Sequence, residues 1–211
     1  DEYATAMRVG TLSDLLPVLV PVSPKIPAEA GEYTLGLYMA VDPLPATVKC
    51  SAINRTGEVA DKNTINIDLV FVGVDGVSPG FNATSGEGDD VLQGVLADLG
   101  DLWSDLGYTI GTVRYTDFDG DVDTYTTVEG EEEVGGLLRT AESGGQITFF
   151  FVQDIDLGDG ASILGLAGGP PGVAGVGGTS KSGVIINVAN VTAAPAEVSL
   201  LMAHEGGHFV G

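Results

Sequence analysis

The hydrophobic pattern divides the chain near residue 63 into two parts. In residues 15–27 the apolar run is interrupted four times by proline, at Pro17, Pro21, Pro24 and Pro27. A long helix cannot form there, because each proline removes a backbone donor and fixes its own φ. Two short β-like runs follow, at residues 32–41 and 46–55. We therefore predict a small β-rich N-terminal segment over residues 1–62, an accessory segment or a pro-segment, before a second domain over residues 63–211.

From residue 65 onward, strand-like and helix-like patterns alternate. Residues 65–74, INIDLVFVGV, are almost continuously apolar, as in a central strand that is buried on both faces. Residues 88–108 carry apolar side chains three and four positions apart, at Leu92, Val95, Leu96, Leu99, Trp103 and Leu106. This spacing, with acidic residues in the first turn and Gly107 as a C-terminal cap, predicts an amphipathic helix.

The alternation continues through the middle of the second domain. Residues 108–116 predict a second strand, residues 127–143 a shorter helix and residues 146–155 a third strand. Thr126 and Glu129 have the spacing of a capping box at the start of the shorter helix. The order of elements to this point is β-α-β-α-β, which indicates an α/β fold.

The last part of the chain begins with a glycine-rich stretch at residues 157–183. It predicts a loop with one short extended run, SILGLA, at residues 162–167. Residues 183–190 then predict a fourth strand, and residues 194–210 predict a buried helix with Pro195 near its first turn.

The charge of the chain narrows the classes of function. Its 30 acidic and 8 basic residues give a formal net charge of −22, which repels nucleic acid and anionic membranes. Such a surface keeps a secreted or salt-exposed protein soluble, so we expect a secreted or cell-surface protein whose signal peptide is already absent. No apolar run is long enough to span a membrane. The single cysteine, Cys50, is interpreted as a small buried strand residue, and a latency-conferring zinc ligand is the alternative.

The two histidines of the chain, His204 and His208, lie four residues apart on the last predicted helix, with Glu205 between them. Residues i and i+4 share one face of a helix, so both imidazoles can bind a single zinc ion. Glu205 lies about 100° around the helix from His204, near the metal, where it can act as general base and acid. The alternative is a pair of structural histidines beside an incidental glutamate.

A catalytic zinc site normally has three protein ligands, so these two are not sufficient. Asp, Glu or Cys within residues 1–198 could supply the third, but the sequence after His208 favours another source. Gly211 stands three positions later and lets the chain turn sharply. HEGGHFVG is therefore similar to the motif HExxHxxGxx(H/D), the signature of the metzincin clan of zinc endopeptidases.

Residues 65–211 as a whole resemble the N-terminal subdomain of a metzincin. The resemblance implies a zincin-like fold with a twisted, mainly parallel sheet over two helices and an antiparallel edge strand that binds extended peptide substrates. The counterpart of that edge strand is Leu164, Gly165, Leu166 and Ala167. The alternative for these residues is a glycine-rich loop without a ligand.

The resemblance also implies a third ligand, His or Asp, about three residues beyond Gly211, and a methionine-containing turn after it. A chain of these 211 residues alone is expected to lack peptidase activity, because it would have neither a complete metal site nor the lower wall of the cleft.

A second metal candidate is the acidic segment TDFDGDVDTY, which has carboxylates at alternate positions, Asp117, Asp119, Asp121 and Asp123. Oxygen ligands at this spacing can converge on one calcium ion. An EF-hand is excluded, because the glycine falls at the fourth place of the loop and Val128 occupies the twelfth. The alternative is an acidic turn that leads into the following helix.

The sequence thus predicts a zinc-dependent endopeptidase that acts on a protein or peptide substrate, with Zn²⁺ as its cofactor and Ca²⁺ as a second candidate ion. Two alternatives stay open. One is an acidic, calcium-dependent binding or adhesion module, and the other is a zincin-like fold without catalysis.

Overall fold

The computed structural model describes residues 63–78, 80–142, 144, 146–158, 160, 163–168 and 177–210. The predicted N-terminal segment, residues 1–62, and Cys50 within it lie outside the described residues, so both interpretations stay predictions. The described strands are β1 (Thr64–Phe71), β2 (Thr109–Asp117), β3 (Thr127–Glu129), β4 (Gln146–Val152), β5 (Asp154–Asp156), β6 (Gly165–Ala167) and β7 (Val184–Asn187). The described helices are α1 (Ala83–Gly88), α2 (Asp90–Ser104), α3 (Val122–Tyr125), α4 (Gly130–Leu138), α5 (Asn190–Ala193) and α6 (Pro195–Val210).

Five strands form one sheet in the order β2-β1-β4-β7-β6. The first four are parallel to their neighbours, and β6 pairs with β7 in the antiparallel sense. Parallel neighbours require crossover connections, and α2 lies in the connection from β1 to β2, as α4 does in the one from β2 to β4. The prediction of an α/β fold with a mainly parallel sheet and an antiparallel edge strand is confirmed.

Both faces of the sheet are buried, because successive side chains of a strand point to opposite faces. Leu69, Phe149 and Ile186 face a core shared with α2 and α6. Val70, Phe150 and Ile185 face a second core shared with α4 and a small parallel pair, β3 and β5. The two helices that lie together on one face are therefore α2 and α6, and α4 covers the opposite face.

The end of α2 confirms the predicted role of Gly107. This glycine has a φ of 83°, in the left-handed region that favours glycine. Its N–H donates to the carbonyl of Ser104 at 2.9 Å, and the N–H of Tyr108 donates to the carbonyl of Trp103 at 2.9 Å. These two bonds form a Schellman motif, which ends the helix and leads the chain into β2.

Two sequence predictions were wrong in detail. Residues 127–129 form β3, and α4 begins only at Gly130, because the hydroxyl of Thr126 donates to the carbonyl of Val122 and does not cap α4. At the true start, the carboxylate of Glu133 accepts from the N–H of Glu129 at 2.7 Å. The predicted third strand is interrupted at Gln153, after which β5 pairs with β3 in the second sheet.

A buried carboxylate links the two strands at the other edge of the sheet. Asp68 in β1 is 2% exposed and accepts bonds from the guanidinium of Arg114 in β2, at 3.1 Å and 2.7 Å. Arg114 also donates to Glu142 at 2.7 Å. The hydrogen bonds to Asp68, and then to Glu142, raise the pKa of Arg114 above its already high usual value. The guanidinium thus stays charged and compensates the buried carboxylate.

Candidate metal centre and sheet edge

Helix α6 presents one face to the core and another to solvent. Val198 and Met202 are buried on the core side. Gly206 continues that side, because a Cβ added there would lie 2.9 Å from Cζ2 of Trp103 and 3.4 Å from Cζ of Phe149. A glycine at this position therefore lets α6 approach α2 and β4 closely, which fixes the helix beneath the candidate site.

The imidazoles of His204 and His208 lie together on the exposed side of α6. Their Nε2 atoms are 3.1 Å apart, and the rings meet edge to face with centroids 4.5 Å apart. Two nitrogen ligands at 2.0 to 2.1 Å from one tetrahedral zinc ion stand about 3.3 Å from each other. The separation of the two Nε2 atoms is therefore close to that of two ligands of one zinc ion, and it is also that of a hydrogen bond between the rings.

Glu205 joins this helix to the edge of the sheet. One oxygen of its carboxylate, Oε2, accepts a hydrogen bond from the backbone N–H of Ala167 in β6 at 2.9 Å. One turn earlier, Leu201 lies against the same strand, because a Cβ added to Gly165 would come within 3.0 Å of its Cδ2. The general base predicted from sequence therefore lies between the histidine pair and the edge strand.

The predicted substrate-binding segment is largely a strand. Gly165, Leu166 and Ala167 form β6, and Leu164 precedes it, its carbonyl accepting from the N–H of Asn187 at 2.9 Å. The extended conformation is thus confirmed, and the part of this run that is described is not an irregular loop. Binding of a substrate at this edge stays a prediction.

Catalytic zinc usually has three protein ligands, and the two predicted from the sequence, His204 and His208, are among the described residues. No group of three or more His, Cys, Asp and Glu side chains is arranged to hold a metal ion within the described ranges. Glu205 is bonded to the edge strand, and its role as a general base stays a prediction. The expected third ligand beyond Gly211 lies outside the described residues and stays a prediction.

The four aspartates of the acidic segment are exposed, and two of them bind backbone groups. Asp117 accepts from the N–H of Ala83 at 2.7 Å, at the start of α1. Asp121 caps α3, accepting from the N–H of Thr124 at 3.3 Å and from its hydroxyl at 2.9 Å. Calcium binding by Asp117, Asp119, Asp121 and Asp123 stays a prediction.

A cavity lies at the carboxyl end of β7, whereas Ala167 pairs with Val184 at the other end of this strand. The cavity was not predicted from the sequence. Its volume is about 560 Å³, and its polar lining includes Ser78, Gln153, Asp154 and Asn187. The side-chain amide of Asn187 donates to Asp154 at 3.0 Å. The predicted α/β fold could have indicated this cavity, because clefts of open α/β sheets form outside the carboxyl ends of parallel strands.

No family model matches the sequence, and no curated protein matches it. The resemblance to metzincins therefore rests on the HEGGHFVG motif and on the order of elements. Among the residues that the structure describes, no helix is both long and apolar enough to cross a membrane.

Proposed function

We propose that the protein is a zinc-dependent endopeptidase of the metzincin type. The observation that carries the proposal is the convergence of His204 and His208, with their Nε2 atoms 3.1 Å apart, beside a glutamate that contacts the sheet edge. Helical spacing places i and i+4 on one face, and here the Nε2 atoms of the two rings are also only 3.1 Å apart. The 3.1 Å separation also suits a hydrogen bond between the two rings, so zinc content is the observation that separates a metal site from a bonded histidine pair.

In this proposal His204 and His208 hold the metal through Nε2. Zinc bound there would lower the pKa of a bound water and polarise a substrate carbonyl. Glu205 accepts a proton from the attacking water as the oxygen bonds to the carbonyl carbon, and then donates that proton to the leaving nitrogen as the peptide bond breaks. The carboxylate needs a fixed position for both transfers, which its bond to β6 supports.

The edge strand is proposed to align the substrate. An extended peptide can add to the free side of β6 through backbone hydrogen bonds, which gives affinity without a strict side-chain requirement. Because β6 lies next to α6, a peptide in that position would run past the Glu205 carboxylate. This adjacency of an open strand edge and a proton-transfer group favours an endopeptidase over a metal-storage or purely structural role.

The test compares wild-type protein with Glu205→Gln, both produced from the complete reading frame and assayed for zinc content and for cleavage of casein. We expect zinc to be retained and cleavage to fall by about 10² to 10⁴, the usual contribution of a general acid and base. Glu197→Gln is the matched control, because it makes the same change of charge at an exposed position in the first turn of the same helix. It should retain both properties.

The outcomes separate the alternatives. Bound zinc without cleavage in the wild-type protein would favour a zincin-like fold without catalysis. Calcium without zinc would favour the acidic binding module and would contradict the proposal. Equal cleavage by Glu205→Gln and wild-type protein would remove Glu205 from the mechanism.

A further inference from the structure

The backbone of β6 is bonded to β7 on one side, and no strand of the described residues pairs with its other side. The N–H of Gly168 donates to the carbonyl of Gly183 at 3.1 Å, and the carbonyl of Leu164 accepts from the N–H of Asn187 at 2.9 Å. In an antiparallel pair, bonded and non-bonded positions alternate, so Leu166 also turns its backbone groups to β7. The backbone groups of Gly165 and Ala167 therefore point away from the sheet.

An outward N–H on an edge strand is normally left to water or to an added strand. The N–H of Ala167 instead donates to Oε2 of Glu205 at 2.9 Å, across 38 positions of sequence. The close approach depends on Gly165, because a Cβ there would lie 3.0 Å from Leu201 and 3.1 Å from Ile186. The contact thus depends on the register of β6 on β7, on Gly165 and on the position of α6.

We propose that the N–H of Ala167 is a positioning group for Glu205. It holds one carboxylate oxygen at the sheet edge and leaves the other oxygen available for proton transfer. A bond to an ionised carboxylate is stronger than one between neutral groups, so it restricts the rotamers of Glu205 effectively. The role of this contact in catalysis rests on the proposed function, whereas the hydrogen bond itself is independent of that function.

The same contact sets the register of an added peptide. With the N–H of Ala167 already bonded, the outward groups of β6 that stay free for a peptide are the N–H and carbonyl of Gly165 and the carbonyl of Ala167. An extended peptide should therefore form a pair of backbone bonds with Gly165. At Ala167 it should form only one bond, in which a peptide N–H donates to the Ala167 carbonyl.

The test measures amide hydrogen exchange at single residues by NMR, which requires neither zinc nor peptidase activity. In wild-type protein the amide of Ala167 should be protected although it points away from the sheet. In Glu205→Ala its exchange should speed up by about tenfold to a hundredfold, the range for loss of a hydrogen bond to a charged group. In Glu205→Gln part of the protection should remain, because the amide oxygen of glutamine still accepts.

The neighbouring amides serve as internal controls. The amide of Leu166 faces β7, so its unchanged exchange would verify that the edge strand is still paired in each variant. An Ala167 amide that exchanges equally fast in wild-type protein and in Glu205→Ala would overturn the proposal.

A second arm connects the contact to activity. Ala167→Pro removes the outward N–H and fixes φ at about −65°, which an edge strand tolerates, and Ala167→Gly removes the methyl group but keeps the N–H. We expect kcat of the proline variant to lie about tenfold or more below that of the glycine variant, with similar KM and zinc content. Equal kcat in the two variants would overturn the positioning role. Absence of cleavage in all forms, with the exchange result intact, would refute the proposed function and leave the contact standing.

Discussion

The sequence predicts a metal site in two regions of the molecule, the histidine pair of α6 and the acidic segment before α3. At the histidine pair, the two Nε2 atoms converge to 3.1 Å. In the acidic segment, Asp117 bonds the start of α1 and Asp121 caps α3. Both patterns have regular spacing, but only the histidines lie on a helix that brings residues four positions apart close together.

The spacing of two residues predicts their proximity only where the secondary structure fixes the directions of their side chains. In a helix, the i and i+4 positions share a face whatever the rest of the chain does. In a turn, alternate aspartates have no fixed mutual direction, and their oxygens compete for nearby backbone N–H groups. Asp121 illustrates this competition, because an N-cap bond to Thr124 occupies the carboxylate that a calcium ion would need.

The largest expected difference between the two regions is in how a substitution changes zinc affinity. We expect His204→Ala to weaken zinc binding by at least about a hundredfold, since loss of even a group that only hydrogen-bonds to a metal ligand costs about 10- to 100-fold. Asp119→Ala should leave zinc affinity unchanged, because that exposed residue lies in the other region. Competition with a chromophoric zinc chelator measures both. Equal weakening by the two substitutions would break the distinction between the regions.

The next effect concerns the packing that holds the histidine helix. Gly206→Ala should lower the free energy of unfolding by about 1 to 3 kcal/mol, because the new methyl group would press on Trp103. Gly207→Ala is the matched control, since no described atom outside the backbone of α6 and the two neighbouring residues lies within 4 Å of an added Cβ there. It should raise stability by up to about 1 kcal/mol through helix propensity. Urea denaturation measures both, and the reverse order of stabilities would show that α6 is placed differently.

The smallest effect concerns the acidic segment. Asp121→Ala should cost about 0.5 to 1 kcal/mol of stability through loss of an N-cap. Asp123→Ala, an exposed change inside the same short helix, should stay within about 0.5 kcal/mol of wild type. Thermal unfolding with and without added calcium tests this account. A calcium-dependent rise in Tm that both substitutions abolish would identify the segment as a metal site after all.

Much of the fold could be predicted because it follows from local periodicity. The nearly continuous apolar run of β1 requires burial on both faces. Five of the six apolar positions predicted for α2 are buried, and the sixth, Leu106, lies beyond the helix and is exposed, just before Gly107. Elements whose formation depends on their surroundings were missed. Helix α1 has six residues and begins at a capping box between Asn82 and Ser85, too short for a periodic signal.

The candidate site was predictable only in part, for the same reason. The histidines and Glu205 are a local pattern on one helix, so their proximity follows from sequence. The bond between Glu205 and Ala167 joins residues 38 positions apart and depends on the register of β6 on β7. Thr126 shows the opposite case, since a local capping pattern failed when its hydroxyl bonded Val122 in the preceding turn.

His204 and His208 of α6 are proposed to bind one zinc ion. The most direct measurement is the metal content of the wild-type protein, produced from its complete reading frame, after dialysis against buffer that contains both zinc and calcium. We predict about one zinc per chain, in keeping with a single site shared by His204 and His208. Calcium without zinc in the dialysed protein would contradict the account.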